Sequence, residues 1–122
     1  MFANPNRVAP DRLAASGRSP KLIGVTGSLV LNDGPRRIEI HPLRDSVHAQ
    51  GFLTVYLPAE KLLIEADAYT PGPAGSPPPP VVDGNHQSLV NHIERLGLQV
   101  DRILPLHGRV VPLRELMAQV GR

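Results

Sequence analysis

The chain has 122 residues, of which 41% are hydrophobic, and its 13 basic residues nearly balance its 11 acidic ones. A chain of this length suits one domain that buries roughly two-thirds of the surface of the unfolded chain. The absence of cysteine excludes disulfides and thiolate metal sites, the scattered arginines disfavour a nucleic-acid surface, and no run approaches the ~18 apolar residues of a membrane span.

The first 20 residues are rich in proline, asparagine, arginine and serine, and we interpret them as an arm or linker. A short helix is predicted over residues 10–16 with Pro10 in its first turn, where the amide that proline lacks would be unpaired anyway. The start of the chain lacks the charged-then-apolar pattern of a secretory signal. The cellular location of a longer parent protein is left open by this observation. Residues 21–122 are predicted to form the folded unit.

Residues 21–67 form a β-rich zone that begins with a hairpin. Two predicted strands, residues 29–31 and 36–41, flank an Asp33-Gly34 pair. Asp-Gly supplies the positive φ that a tight hairpin turn requires. In the second strand apolar residues alternate with polar ones, and this period of two predicts burial on one face only.

A second hairpin is predicted from residues 52–57 and 62–67, which are joined by a proline-containing turn. The near-continuous apolar character of both strands predicts burial on both faces of the sheet. Glu60 lies in the turn beside a lysine, and we interpret it as surface charge. Glu65 lies within the second strand and is, in principle, an acid–base candidate.

Proline and glycine dominate the next segment, a predicted loop over residues 71–84. Such a composition suits neither a helix interior nor a central strand. We favour an exposed polyproline or disordered loop. The alternatives are a flap beside Asp67 and a proline-motif ligand for a partner.

A helix follows the loop, with Asp83 or Asn85 as its cap and Gly97 at its end. A short strand is predicted over residues 102–106, and Pro112 begins a last helix with apolar residues at helical spacing. The predicted fold class is therefore α/β (α+β), with a mixed or antiparallel sheet of about five strands and two main helices on one face.

Three chemically informative residues each stand where an apolar run meets a turn: His48, Asp67 and His107. A carboxylate after five mainly apolar residues is costly to bury unless it is paired or bound to metal. Imidazole and carboxylate are the donors that Zn²⁺ favours, and rigid strand ends hold such donors in place. The remaining histidines are interpreted as packed or surface residues. Of these, His41 is also a candidate to line the metal pocket behind the ligands.

The spacing of 19 and 40 residues between these three, with the surrounding segments VHAQGFLTVYLP, KLLIEADAYTP and ILPLHG, resembles the C-terminal half of the metallo-β-lactamase superfamily over residues 36–122. The resemblance implies half of an αββα sandwich. In that superfamily a histidine placed like His48 completes the ligands of one metal, an aspartate placed like Asp67 bridges both metals, and a histidine placed like His107 binds the second. The H-x-H-x-D-H segment of the N-terminal half is missing here.

The resemblance further implies that the parent protein is a hydrolase that uses two zinc ions to activate water against an ester, amide, lactam or thioester. Without the N-terminal ligands, we expect this chain alone to bind at most one zinc ion, weakly, and to be inactive. Its expected partners are the missing N-terminal half and, in the parent, a small-molecule substrate. The isolated chain is expected to self-associate through an uncovered sheet face or to cover that face with residues 1–20. The alternative function is a non-catalytic binding or interaction module derived from the same fold.

Overall fold

The computed structural model describes residues 8–122, so the part of the predicted arm before residue 8 lies outside the described residues. Within residues 8–122 the chain forms three helices and one sheet of six strands. In chain order the elements are α1 (Arg12–Ser16), β1 (Leu29–Asn32), β2 (Arg37–Pro42), β3 (Leu53–Leu57), β4 (Leu62–Ile64), α2 (Gly84–Leu96), β5 (Arg102–Leu104), β6 (Val111–Pro112) and α3 (Leu113–Gln119). The predicted α+β class is confirmed.

The strands lie in the sheet in sequence order, and only β4 and β5 pair in parallel among the described strands. The connection from β4 to β5 runs through α2, as a parallel pair requires a crossover. The sheet is therefore mixed, as predicted. The sixth strand was not predicted, because its two residues directly precede α3 and read as the start of that helix.

Local signals in the sequence account for most element ends. Gly34 turns the first hairpin with a φ of 81°. The Asp83 carboxylate accepts the amide of Asn85 at the start of α2, and Gly97 ends this helix in the left-handed region with a φ of 63°. The predicted start of α1 is wrong by two residues, since the helix begins at Arg12 and not at Pro10. Asp11 caps α1 by accepting the Ala14 amide at 2.9 Å, so Pro10 precedes the helix.

The core lies between one face of the sheet and the two longer helices. The residues of β3 to β6 on this face are almost fully buried, and α2 and α3 contact each other above them. Its central members are Tyr56, Leu63, Ile103 and Val111 from the sheet, Leu89, Val90 and Ile93 from α2, and Leu116 from α3. Burial of these side chains is the main driving force for this layer. The predicted pair of helices on one face is thus confirmed.

The opposite side of the sheet, which we call the open face, is apolar and only partly buried. Alternation along the strands and the cross-strand register place ten aliphatic residues there: Leu29, Leu31, Ile38, Ile40, Leu53, Val55, Leu57, Leu62, Ile64 and Leu104. Leu53 is 40% exposed. The prediction that both faces of β3 and β4 are buried is therefore not met within residues 8–122, since no element of that range forms a second layer.

The described part of the arm does not provide such a layer. Every residue of α1 is exposed or half-exposed. Val8 and the apolar pair Leu22 and Ile23 are also exposed. Burying an apolar face against the arm would have removed these side chains from water. The expected cover by residues 1–20 is therefore not found in residues 8–20.

Candidate metal centre

The parallel pairing of β4 and β5 brings Asp67 and His107 to the same edge of the sheet. Ile64 is the partner of Leu104 in the register, and each functional residue follows its strand end by three positions. The Leu106 amide donates to the carbonyl of Ala66 at 3.2 Å, which carries the pairing beyond the strands. The two segments therefore leave the sheet side by side, and the imidazole and carboxylate lie next to each other.

His48 reaches the same edge from the loop before β3. Because β3 runs antiparallel to β4, its first residue lies near the last residues of β4. The Ser46 hydroxyl accepts the amides of His48 and Ala49 at 3.3 Å, which closes a tight turn around the histidine. The imidazole also meets the ring of Phe52 edge-on, with ring centroids 6.1 Å apart. The turn and the contact with Phe52 hold His48 next to the start of β3.

The three sequence-predicted residues meet at the Asp67 carboxylate. Its Oδ1 lies 3.2 Å from Nε2 of His107, and its Oδ2 lies 3.6 Å from Nε2 of His48. Each oxygen therefore faces a different imidazole. The side chain of Asp67 is 33% exposed and that of His107 is 63% exposed, so the cluster is open to solvent at the edge of the sheet.

The chemical types of these three donors suit a borderline cation such as Zn²⁺, but their arrangement does not form a complete metal site. Two imidazole nitrogens and one carboxylate are a common protein contribution to a catalytic zinc site. In the part of the chain that is described, however, no group of three or more histidine, cysteine, aspartate or glutamate side chains is arranged to hold a metal ion. Both imidazoles lie directly against the Asp67 carboxylate.

Glu65 lies beside this cluster and is almost completely buried, at 4% exposure. Its Oε2 accepts the amides of Ala68 at 2.7 Å and Tyr69 at 3.3 Å. Burial raises the pKa of Glu65 to about 7, the two amides oppose that shift, and the nearby Asp67 adds to it. Sequence reasoning treated Glu65 only as an acid–base candidate. The sequence did contain a signal for this role. Glu65 precedes Ala68 and Tyr69 by three and four residues, a spacing at which a carboxylate can accept backbone amides as a capping side chain does. The strand β4 does not pair those two amides.

The loops that carry Asp67 and His107 also contact each other further along. Pro71 is buried, and a methyl group added at Gly108 would lie 3.2 Å from the Pro71 ring. Arg109 donates to the carbonyl of Gly72 at 3.4 Å and forms a two-pronged ion pair with Glu115. The predicted loop is thus anchored at its first residues beside the site, while residues 72–78 are exposed.

His41 has a different set of partners. Its Nδ1 lies 2.7 Å from the Ser28 hydroxyl, and its Nε2 lies 3.0 Å from a carboxylate oxygen of Glu39. The ring also meets that of His92 edge-on. Its suggested role behind the metal ligands stays a prediction. His92 is buried against the sheet, which agrees with its interpretation as a packed histidine.

Comparison with solved structures finds the same architecture. An archaeal metallo-β-lactamase superfamily protein from Sulfolobus tokodaii is 23% identical with a TM-score of 0.58, covering 81% of this chain and 38% of that one. A metallo-β-lactamase from Pontibacter korlensis is 15% identical with a TM-score of 0.62, covering 89% and 51%. A stereoselective inverting sec-alkylsulfatase from Pseudomonas sp. is 17% identical with a TM-score of 0.53, covering 79% and 16%. No protein-family model and no curated protein matches the sequence.

The fold is that of part of a metallo-β-lactamase superfamily protein. The likeness extends over most of this chain but at most about half of the first two structures, so a large part of the metallo-β-lactamase fold has no counterpart here. The predicted partial fold is confirmed. Within the described residues, no second layer covers the open face. In residues 8–122, no helix is long and apolar enough to cross a membrane.

Proposed function

We propose that this chain contributes His48, Asp67 and His107 to the dinuclear metal centre of a metallo-hydrolase, and that the remaining ligands come from a part of the fold outside this sequence. The observation that carries the proposal is the position of the Asp67 carboxylate, whose two oxygens face Nε2 of two different histidines. The fold supports the same conclusion.

Each residue has a distinct role in this proposal. Asp67 would contribute to the binding of both metal ions, His48 to that of one ion, and His107 to that of the other. The donors fit zinc, because imidazole nitrogen and carboxylate oxygen suit a borderline cation. When bound, the ions supply a water of lowered pKa for hydrolysis of an ester, amide, lactam or thioester in a small-molecule substrate. The parallel pairing of β4 and β5 keeps Asp67 and His107 at the same edge of the sheet.

The open face supplies the second part of the proposal. Leu53, Val55, Ile64 and Leu104 border a groove of about 420 Å³ on this face. Contiguous apolar patches of more than a few hundred Å² are rare on soluble monomers and mark interaction surfaces. We assign the face to the N-terminal half of the same fold. The isolated chain should use it for self-association, since an apolar sheet face left in water is costly.

A non-catalytic interaction module is the second candidate function. The open face favours it, because an apolar interaction surface requires no metal. The two candidates differ in what lies upstream in the reading frame. An H-x-H-x-D-H segment there would support the metallo-hydrolase, and its absence would favour the module.

Zinc binding by the 122-residue chain tests the metal proposal directly. Calorimetry should detect at most one zinc ion per chain, bound weakly and less well in acid, because protons compete with the metal for imidazole nitrogen. Asp67→Ala and His107→Ala should abolish the heat of binding. His86→Gln is the matched control, because His86 lies in the first turn of α2 with its ring against Tyr69, and it should bind like the wild-type chain.

Two results would count against the proposal. Two tightly bound zinc ions per chain would mean that this chain alone supplies enough ligands for both ions. Equal binding by the wild-type chain and Asp67→Ala would place any zinc elsewhere. Either result would leave the interaction module as the better account of the fold.

A further inference from the structure

Glu65 is the buried acidic residue nearest in sequence to the candidate ligand Asp67, and its contacts are directed to the backbone. Its own amide donates to the carbonyl of Leu104 at 3.1 Å, which anchors it to β5. Its Oε2 accepts two consecutive amides, those of Ala68 and Tyr69, on the far side of Asp67. The side chain thereby closes the turn that contains Asp67.

The hydrogen bonds on either side of Asp67 restrict its backbone. Before it, the carbonyl of Ala66 accepts the amide of Leu106 from the segment that carries His107. After it, both amides donate to Glu65. Within residues 8–122, the polar contacts of the Asp67 side chain are those of its carboxylate with the two imidazoles. The direction of that carboxylate therefore depends on the backbone of the turn, and the turn depends on Glu65.

We propose that Glu65 is a positioning residue that sets the orientation of the Asp67 carboxylate toward His48 and His107. The inference rests on the proposed function for its significance, since the orientation matters most when Asp67 bridges two metals. Mutation of residues that hold metal ligands from behind typically lowers metal affinity or activity about 10- to 100-fold. Glu65 acts through Asp67 and does not touch the metal.

The chemistry of the acceptor predicts which substitutions are tolerated. Both amides donate to the same oxygen, Oε2, while Oε1 is buried and has no partner among residues 8–122. One carbonyl-type oxygen at the Oε2 position is therefore sufficient. Glutamine provides that oxygen at the same reach. Methionine fills the same space without an acceptor, and aspartate keeps an acceptor on a side chain that is one methylene shorter.

The test uses the 122-residue chain with and without zinc. Amide hydrogen exchange at Ala68 and Tyr69, and the Nε2 nitrogen chemical shifts of His48 and His107 at one fixed pH, are measured in metal-free protein. Zinc affinity is measured separately. Glu65→Gln should match the wild-type chain in all three readouts. Glu65→Met should speed exchange at the two amides about tenfold or more, move the histidine shifts, and weaken zinc binding about tenfold or more.

Two controls separate positioning from general destabilisation. Amides in the helices, such as those of Leu89 and Leu116, should exchange at wild-type rates in Glu65→Met. Glu60→Met changes an exposed glutamate in the same hairpin and should leave every readout unchanged. If Glu65→Met does not fold, Glu65→Asp takes its place, because a shortened carboxylate loses its reach to the two amides in an otherwise similar side chain.

The outcomes are distinguishable from failure of the proposed function. If the wild-type chain binds no zinc, the metal proposal fails, while the metal-free readouts still decide the role of Glu65. Unchanged exchange and unchanged histidine shifts in both Glu65→Met and Glu65→Asp would overturn the positioning role. Equal acceleration across Ala68, Leu89 and Leu116 would also overturn it, because that result describes a core residue of the fold.

Discussion

Replacement of His92 by glutamine should change how the stability of this protein depends on pH. His92 is only 1% exposed. Its Nδ1 lies 3.0 Å from a guanidinium nitrogen of Arg95, and its Nε2 lies 2.9 Å from the Thr54 hydroxyl. Because a guanidinium only donates, Nδ1 must accept, and Nε2 carries the proton that is donated to Thr54. Thr54 in turn donates to the carbonyl of His41. The folded state therefore requires neutral His92.

The magnitude follows from the pKa of the ring in the two states. Burial, then the charge of Arg95, then the neighbouring His41 lower the pKa of His92 from 6.5 to about 4. Between these values the unfolded chain binds a proton on this ring and the folded chain does not. The stabilisation from neutral His92 is therefore complete above about pH 6.5 and is lost as the pH falls toward 4. At about 1.4 kcal/mol for each pKa unit, the loss is about 3 kcal/mol.

Urea unfolding followed by circular dichroism, in steps between about pH 7.5 and pH 4, measures this loss. Glu65 contributes with the opposite sign, because burial raises its pKa from 4.5 to about 7, so its stabilisation is present below 4.5 and is lost as the pH rises toward 7. Both chains contain Glu65, and its contribution cancels in their difference. The free energy of unfolding of the wild-type chain minus that of His92→Gln should decrease by about 3 kcal/mol between pH 7.5 and pH 4.

A second background checks the assigned cause. The charge of Arg95 and its hydrogen bond both favour neutral His92. In an Arg95→Gln chain, the same His92→Gln replacement should therefore give a smaller decrease. A difference between wild-type and variant stability that stays constant from pH 7.5 to pH 4 would refute the reasoning. It would mean that the ring has the same pKa in the folded and unfolded states, despite its burial.

Three further predictions concern the fold, the open face and the chemistry. Tyr56→Phe removes the hydrogen bond of 2.8 Å that the tyrosine hydroxyl donates to the carbonyl of Gln99. Urea titration should show a free energy of unfolding lower by about 1 kcal/mol. No change would mean that water replaces the bond. Val55→Glu places a charge in the open face and should shift sedimentation toward monomer; a wild-type chain that is already monomeric at high concentration would contradict the assigned use of that face. The isolated chain with zinc should not hydrolyse β-lactams or thioesters faster than buffer with zinc, and robust turnover lost in Asp67→Ala would show that fewer ligands suffice than we propose.

Sequence alone determined the parts of this protein that depend on near neighbours in the chain. The Asp33-Gly34 turn and the Gly97 stop were predicted from residues whose conformational preferences act within one or two turns, and Asp83 was one of two predicted caps for α2. The three candidate metal donors were found in the same way, because each stands where an apolar run meets a turn. Where a local signal was misread, as at Pro10 beside the capping Asp11, the error was confined to one helix end.

Only the tertiary structure decided how these segments meet. The parallel register of β4 with β5, across a crossover of more than 30 residues, places Asp67 beside His107, and no local preference encodes that pairing. Glu65 closes the Asp67 turn because the fold buries it. Where water is excluded, water does not compete for the backbone amide that the Glu65 carboxylate accepts. The open face shows the same dependence. Its strands have apolar residues on both sides, which predicts two covering layers, but whether a second layer exists depends on which chain segments pack there, and that is a property of the assembled fold.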